Sequence, residues 1–269
     1  MIFARLFSRQ WWVTTLLVIA AIGVMIRLGI WQLDRLEQRK AFNQRVLTQR
    51  SQPTLDLNKD NYAEIDFPDM EYRQVIVSGE YDPAFEIVLR NQVWNDRIGV
   101  HVMTPLKITG SGQSILVDRG WVPLEDFNSG KLKKYAEPGQ VTVKGIIRRP
   151  TSKPRFAGRA DPVPQPGSER ITAWNFANVP AIASQIPYPI LPVYIQQSPD
   201  PAWTSMPYRS QPELELSEGP HLGYAMQWFA FASILAIGYP IYVKREDQRS
   251  SRTHKKAVYV RPVSKSHTK

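Results

Sequence analysis

The chain contains no cysteine in 269 residues. That excludes disulfide staples, a thiolate nucleophile and the thiolate sites that usually hold zinc or copper. It also lacks a phosphate-binding loop, a zinc-protease signature, a nucleophile elbow and any internal repeat, which leaves no organised enzyme motif. No acidic residue occurs in residues 1–26, and no charged residue of either sign occurs from Leu222 to Val243. Neither glycine nor proline interrupts Trp31–Arg50.

The uncharged run Leu222–Val243 is 22 residues long. As a helix it covers ~33 Å, enough for a hydrocarbon core of ~30 Å. A second apolar run, Trp11–Trp31, is broken only by Thr14, Thr15 and Arg27. Trp11 and Trp31 sit one bilayer thickness apart, where amphipathic rings mark the membrane–water boundaries. Arg5 and Arg9 ahead of this run, with small residues near Ala21 and Gly23, also fit a signal peptide. The run continues past any such site to Trp31, so the reading adopted is an uncleaved anchor.

The formal net charge of +10 points first to nucleic acid, but its distribution opposes that. The tail after Val243 holds nine basic and two acidic residues, whereas Arg27–Pro220 holds 23 basic and 22 acidic. The basicity therefore lies at the ends, as expected for segments on the cytoplasmic side of a membrane. Glu213, Glu215 and Glu218 precede the second span, and Lys244, Arg245 and Arg249 follow it. Arg35, Arg39, Lys40, Arg45 and Arg50 beyond the first span run against this orientation, and the second span decides. The expected layout is residues 1–10 cytoplasmic, 11–31 membrane helix, 32–220 external, 221–243 membrane helix and 244–269 a basic cytoplasmic tail. A domain of ~190 residues buries a core without covalent staples.

The stretch after Trp31 continues as a helical stalk that Gln52-Pro53 ends. Pro53–Glu71 reads as loop. Short β-branched runs then follow at Tyr72–Ser78, Phe85–Arg90, Ile98–Ile108, Gln113–Gly120, Val141–Arg148 and Leu191–Gln197, separated by turn residues. They predict an antiparallel sheet or barrel-like domain. Asn178 opens a short helix to Ile186, with Pro180 in its first turn. Pro150–Gly167, with five prolines, reads as an irregular loop. The fold class is thus a membrane protein: a two-helix transmembrane hairpin carrying a β-rich (α+β) external domain.

His221 opens the second span, and on a helix Tyr224 and Trp228 share its face with Gln227 beside them. An imidazole at the membrane edge with an aromatic wall suits the iron of a porphyrin; the plainer reading is an interfacial histidine among belt aromatics. Arg27 either snorkels to the boundary near Trp31 or pairs with a propionate or phosphate there. His101 and Met103 alternate on one strand face as soft copper ligands or as a half-buried strand pair. Asp118-Arg119 reads as a catalytic pair or as a turn-anchoring ion pair.

Four stretches, in order, resemble the Surfeit-one (surfeit locus protein one) family of cytochrome c oxidase assembly factors. They are Leu28-Gly-Ile-Trp-Gln-Leu-Asp-Arg35 with Lys40; Gly99-Val-His-Val-Met-Thr-Pro105 with Leu116-Val-Asp-Arg-Gly-Trp-Val-Pro123; Val143-Lys-Gly-Ile-Ile-Arg148; and His221-Leu-Gly-Tyr-Ala-Met-Gln-Trp228. The resemblance implies a non-enzymatic factor that helps mature the haem a-containing oxidase subunit, with His221 as axial ligand. It also implies that Trp31, Gln32 and Arg35 shape the same outer-leaflet site as His221, Tyr224 and Trp228, and that Gly99, Arg119 and Gly120 hold the external domain together. The expected cofactor is haem a, and the expected partners are an oxidase subunit and membrane lipid, not nucleic acid. The other class kept open is a structural chaperone of an oxidase subunit that touches no cofactor. Without an Arg- and Ser-rich transit segment ahead of the first span, a bacterial inner membrane is expected.

Overall fold

The computed structural model describes residues 5–59, 65–153, 160–165, 167–211 and 214–259, with side chains to Arg249. The α-helices used below are α1 (Trp12–Ser51), α2 (Leu124–Asn128), α3 (Val179–Ala183) and α4 (His221–Tyr259). The eight strands are β1 (Leu55–Asp56), β2 (Gln74–Tyr81), β3 (Ile87–Trp94), β4 (Arg97–Ile108), β5 (Ser114–Pro123), β6 (Gln140–Arg148), β7 (Ala173–Trp174) and β8 (Ile190–Gln197). The chain forms two compact units, Met1–Asn43 with Leu216–Lys269, and Gln44–Glu215. Part of the Pro150–Gly167 loop and the end of the basic tail fall outside the described residues.

In the first unit α1 and α4 are each long and apolar enough to cross a membrane. At 1.5 Å per residue the 40-residue α1 extends roughly 60 Å, about twice a hydrocarbon core. It ends at Ser51, where Pro53 disfavours helical backbone at the preceding residue. The buried residues of α1 within this unit, Thr15, Gly29, Leu36 and Asn43, are separated by multiples of seven; Thr15 meets Tyr239 and Gly29 meets Phe229 of α4, and Asn43 meets Leu216 ahead of it. On α4, Ala225 and Ala232 are buried at the same spacing. That period keeps one seam facing its partner, and small residues let backbones approach where lipid supplies no hydrophobic drive. A Cβ on Gly29 would lie 2.6 Å from the Phe229 ring. Toward the other end, Thr15 donates to the Leu6 carbonyl (2.7 Å) and so accepts from the Tyr239 hydroxyl (2.8 Å).

The second unit is β-rich. Its strands run β1-β2-β6-β8-β5-β4-β3-β7, and a further β2–β4 pairing closes five of them, β2, β4, β5, β8 and β6, into a barrel. A closed five-stranded Greek-key barrel with a short helix after its third strand is of the OB type. Closure removes the exposed edges that an open sheet would carry. The expected all-antiparallel pattern is modified: β8 runs parallel to β5. The long connection between β6 and β8 makes this possible, because a parallel neighbour needs a crossover rather than a tight turn.

Alternation builds the interior. Val75 and Val77 of β2, Val193 and Ile195 of β8, and Ile115 and Val117 of β5 point into the barrel with Leu106 and Ile147. Burying each such side chain contributes roughly 1.5–3 kcal/mol relative to exposure. All ten residues of β5 are buried, because Leu116 faces a second cluster outside the barrel, under Trp174, Val179 and Ile182. A third cluster joins Val88, Val100, Val102 and Val122 to Tyr135, with Phe127 of α2 packed against it. The β3–β4 hairpin carries the expected strands Phe85–Arg90 and Ile98–Ile108 on to a two-residue turn. Its turn residues Asn95 and Asp96 carry positive φ (46° and 60°), a type I′ arrangement filled here without the usual glycine.

Candidate functional site

His221 sits at the first position of α4, after Gly219, whose φ of 69° lies in the left-handed region, and Pro220. Two contacts bring the preceding segment onto α1: Asn43 Nδ2 donates to the Leu216 carbonyl (2.9 Å), and Lys40 pairs with Glu218 (3.8 Å). The ion pair is exposed and worth little; the buried amide supplies the register. With that register set, His221 Nδ1 lies 2.8 Å from Gln32 Oε1. A carboxamide oxygen only accepts, so Nδ1 donates this bond, and in the neutral imidazole the lone pair is then on Nε2. A Cβ on Gly219 would stand 3.6 Å from Nε2, an ordinary van der Waals contact, so the left-handed φ rather than space is what favours glycine there.

The remaining members of the expected site are placed differently. Trp31 and Tyr224 are about half exposed. Trp228 packs edge-on against Phe231 (6.3 Å, 85°). Arg35 Nη1 donates to Gln38 (2.9 Å), one turn along its own helix. Arg27 is exposed on α1 and has no ion pair among the described residues. Of the expected set, the direct side-chain contact is Gln32 to His221. Among the described residues no group of three His, Cys, Asp or Glu side chains could hold a metal. An imidazole with a protonated, hydrogen-bonded Nδ1 and an accessible Nε2 is the donor that an axial iron site requires. A flat macrocycle also needs apolar cover, which the exposed rings of Trp31 and Tyr224 have free to offer. The residues present therefore fit a haem held through one histidine.

In the barrel unit, His101 and Met103 do not form a copper site. His101 Nδ1 lies 2.9 Å from Asp118 Oδ2, and Met103 is fully buried in the cluster with Leu89 and Trp174. Asp118 and Arg119 do not pair with each other either. β4 and β5 slip register between Val102 and Met103, so Gly120 faces Val102, Asp118 faces Met103, and Arg119 is the extra, bulged residue. A bulge re-aims a side chain, and this one turns Arg119 onto Glu86 (3.3 Å), Glu137 (2.8 Å) and the Tyr135 carbonyl. Burial pushes the Glu86 carboxyl above its usual range, against the opposing pull of Thr104 and Arg119.

Burial disfavours a charge on His101, but the Asp118 carboxylate more than offsets this and holds the imidazole above its ordinary value. A histidine raised on folding stabilises the fold below its unfolded pKa of about 6.5, and that contribution is lost as pH rises through the folded value. Thermal melts of the full chain should therefore show stability falling as pH rises from about 6.5. Asp118→Asn keeps an acceptor for the Gly120 N–H (3.1 Å) but removes the charge, so its melts should lose most of that slope.

The sequence model of the SURF1 family matches residues 19–233, from within α1 to within α4. The chain belongs to the SURF1 family. It is 24% identical to human Surfeit locus protein 1 over 237 residues, covering 82% of this chain and 73% of the human protein. It is 26% identical to a SURF1-like protein of Rickettsia bellii over 247 residues (89% and 95%). A SURF1-like protein of Caenorhabditis elegans is 25% identical over 251 residues (86% and 74%). The matched span includes both Gln32 and His221, so the contact between them lies inside the family's own region. Two features of this SURF1 family chain escaped sequence reasoning: the buried row Thr15, Gly29, Leu36 and Asn43 on α1 and the left-handed φ of Gly219 ahead of His221. The seven-residue spacing was the available signal for the first.

Proposed function

We propose that this SURF1 family protein is a cytochrome c oxidase assembly factor of a bacterial inner membrane. Both termini are cytoplasmic in this reading, and the barrel unit is periplasmic. It acts without catalysis, holding haem a at the outer membrane boundary for an oxidase subunit. The observation that carries the reading is the Gln32–His221 hydrogen bond at the start of α4, which leaves Nε2 as the free donor. Haem a, when bound, would supply the iron that the oxidase subunit needs. His221 would ligate it, Gln32 would fix the imidazole's tautomer and orientation, and Trp31 and Tyr224 would cover its edge. Membrane lipid surrounds the exposed faces of α1 and α4.

The test is the optical spectrum of the full chain, purified from a host that makes haem a. The parent should carry a haem band that His221→Ala removes. Gln32→Ala should retain haem with about tenfold lower affinity, the usual effect of losing a ligand's hydrogen-bond partner. In a host lacking its own family member, assembled oxidase should fall in the same order. A colourless parent with haem a demonstrably present overturns the haem reading in favour of a structural chaperone. Normal oxidase levels without the protein overturn the assembly role altogether.

A further inference from the structure

A cavity of about 590 Å³ opens beside the barrel, between α2, the turn Lys131–Tyr135 and the start of β3. That volume lies in the range of small-molecule sites, roughly 300–1,000 Å³. Ala84, Val88, Phe127 and Leu132 line it, so the walls are apolar, and Lys133 stands exposed beside them. Glu86 is the acidic residue of the lining, and its side chain is 14% exposed. One of its oxygens, Oε2, accepts from Thr104 Oγ1 (2.8 Å) and Arg119 Nη1 (3.3 Å). The other, Oε1, has no protein partner among the described residues.

The charge around Glu86 is already balanced. Arg119 pairs with Glu86 and Glu137, and Arg209 reaches the second oxygen of Glu137 (3.6 Å), giving two cations and two carboxylates. A cationic ligand would add an uncompensated charge in a partly buried site, next to Lys133. An anionic one would face Glu86. A neutral donor is the group that satisfies an open carboxylate oxygen without upsetting this balance.

We propose that this cavity binds a neutral, largely apolar small molecule carrying one hydrogen-bond donor such as a hydroxyl, which donates to Glu86 Oε1 while its hydrocarbon body packs on Val88, Phe127 and Leu132. The site shares no residue with the His221 site and does not depend on haem.

The test uses the full chain in lipid nanodiscs, with methyl NMR signals of Val88 and Leu132 as reporters. The probes are cyclohexylmethanol and methylcyclohexane, which share a ring and differ in the hydroxyl. Cyclohexylmethanol should shift both signals saturably and bind about tenfold more tightly, the scale of one hydrogen bond to a charged group. Ala84 is exposed, so Ala84→Trp should fill the space and abolish binding while leaving the barrel signals of Val75 and Val193 unchanged. His221→Ala should leave the affinity unaltered, so the two readings fail separately. Shifts that never saturate, equal affinity for the two probes, or binding that survives Ala84→Trp would each overturn the proposal.

Discussion

Arg119→Met is expected to lower the stability of the barrel unit by about 3–5 kcal/mol, the cost of removing one partner from a buried ion pair. Arg119 is 2% exposed and holds two carboxylates, Glu86 and Glu137, besides the Tyr135 carbonyl. Its guanidinium also lies 4.8 Å from the centre of the Tyr81 ring. Methionine fills much of the volume but satisfies none of these groups, so the loss comes from stranded acceptors rather than from a cavity. Two controls separate this cause from poor packing. Adding Glu86→Gln should recover part of the loss, because one stranded charge is gone. The variant should also be less destabilised at low pH. A carboxyl raised on folding, as Glu86 already is, binds its proton more readily in the folded state, so stability rises as pH falls through that value. Near-ultraviolet melting at two pH values reads both effects. A loss under about 1 kcal/mol, or one independent of pH, would mean that Arg119 is only filler.

Gly120→Ala should cost about 2–4 kcal/mol, again through the bulge. Gly120 has φ +118°, and an added Cβ would lie 2.4 Å from the Tyr208 carbonyl oxygen. That backbone is held by two bonds, Trp121 N–H to the Tyr208 carbonyl and Tyr208 N–H to the Trp121 carbonyl, each 2.9 Å. It cannot yield without breaking them. Tyr208 also stacks on Trp94 (5.5 Å) and Trp121 (6.1 Å), so displacement should weaken the aromatic near-ultraviolet signal as well as the melting point. Gly112→Ala is the comparison: φ is +67°, but open space surrounds the new Cβ, so its cost should stay near 1 kcal/mol. Equal effects at the two positions would show that backbone strain alone, and not the contact with Tyr208, sets the penalty.

Arg119 and Gly120 stand beside Asp118 in a segment singled out from sequence, yet their roles were only half legible there. Asp118-Arg119 looked like a mutual ion pair because adjacent opposite charges are what a linear reading can see. The bulge splits them, sending Asp118 to His101 and Arg119 to Glu86 and Glu137. A bulge depends on the register of two strands, which no property of one strand specifies. The Asn95-Asp96 turn was missed for a related reason: without glycine, only the paired strands reveal that both residues take positive φ.

The sequence by itself determined whatever depends on local composition and period. Charge-free length made α4 long enough to cross a bilayer, Pro53 ended α1, and β-branched alternation placed the six main strand regions. His221 stood out because an ionisable group at the start of an apolar run is costly wherever it lies. Tertiary structure decided what depends on pairing. The β2–β4 contact turned a sheet into a barrel, and the parallel β5–β8 pair came from a long crossover. The seam between α1 and α4 selected Gln32, rather than Trp31 or Arg35, as the neighbour of His221. Helical period names the faces that two elements can present, but only their packing fixes the offset between them, and a shift of one residue would have put a different side chain on the imidazole.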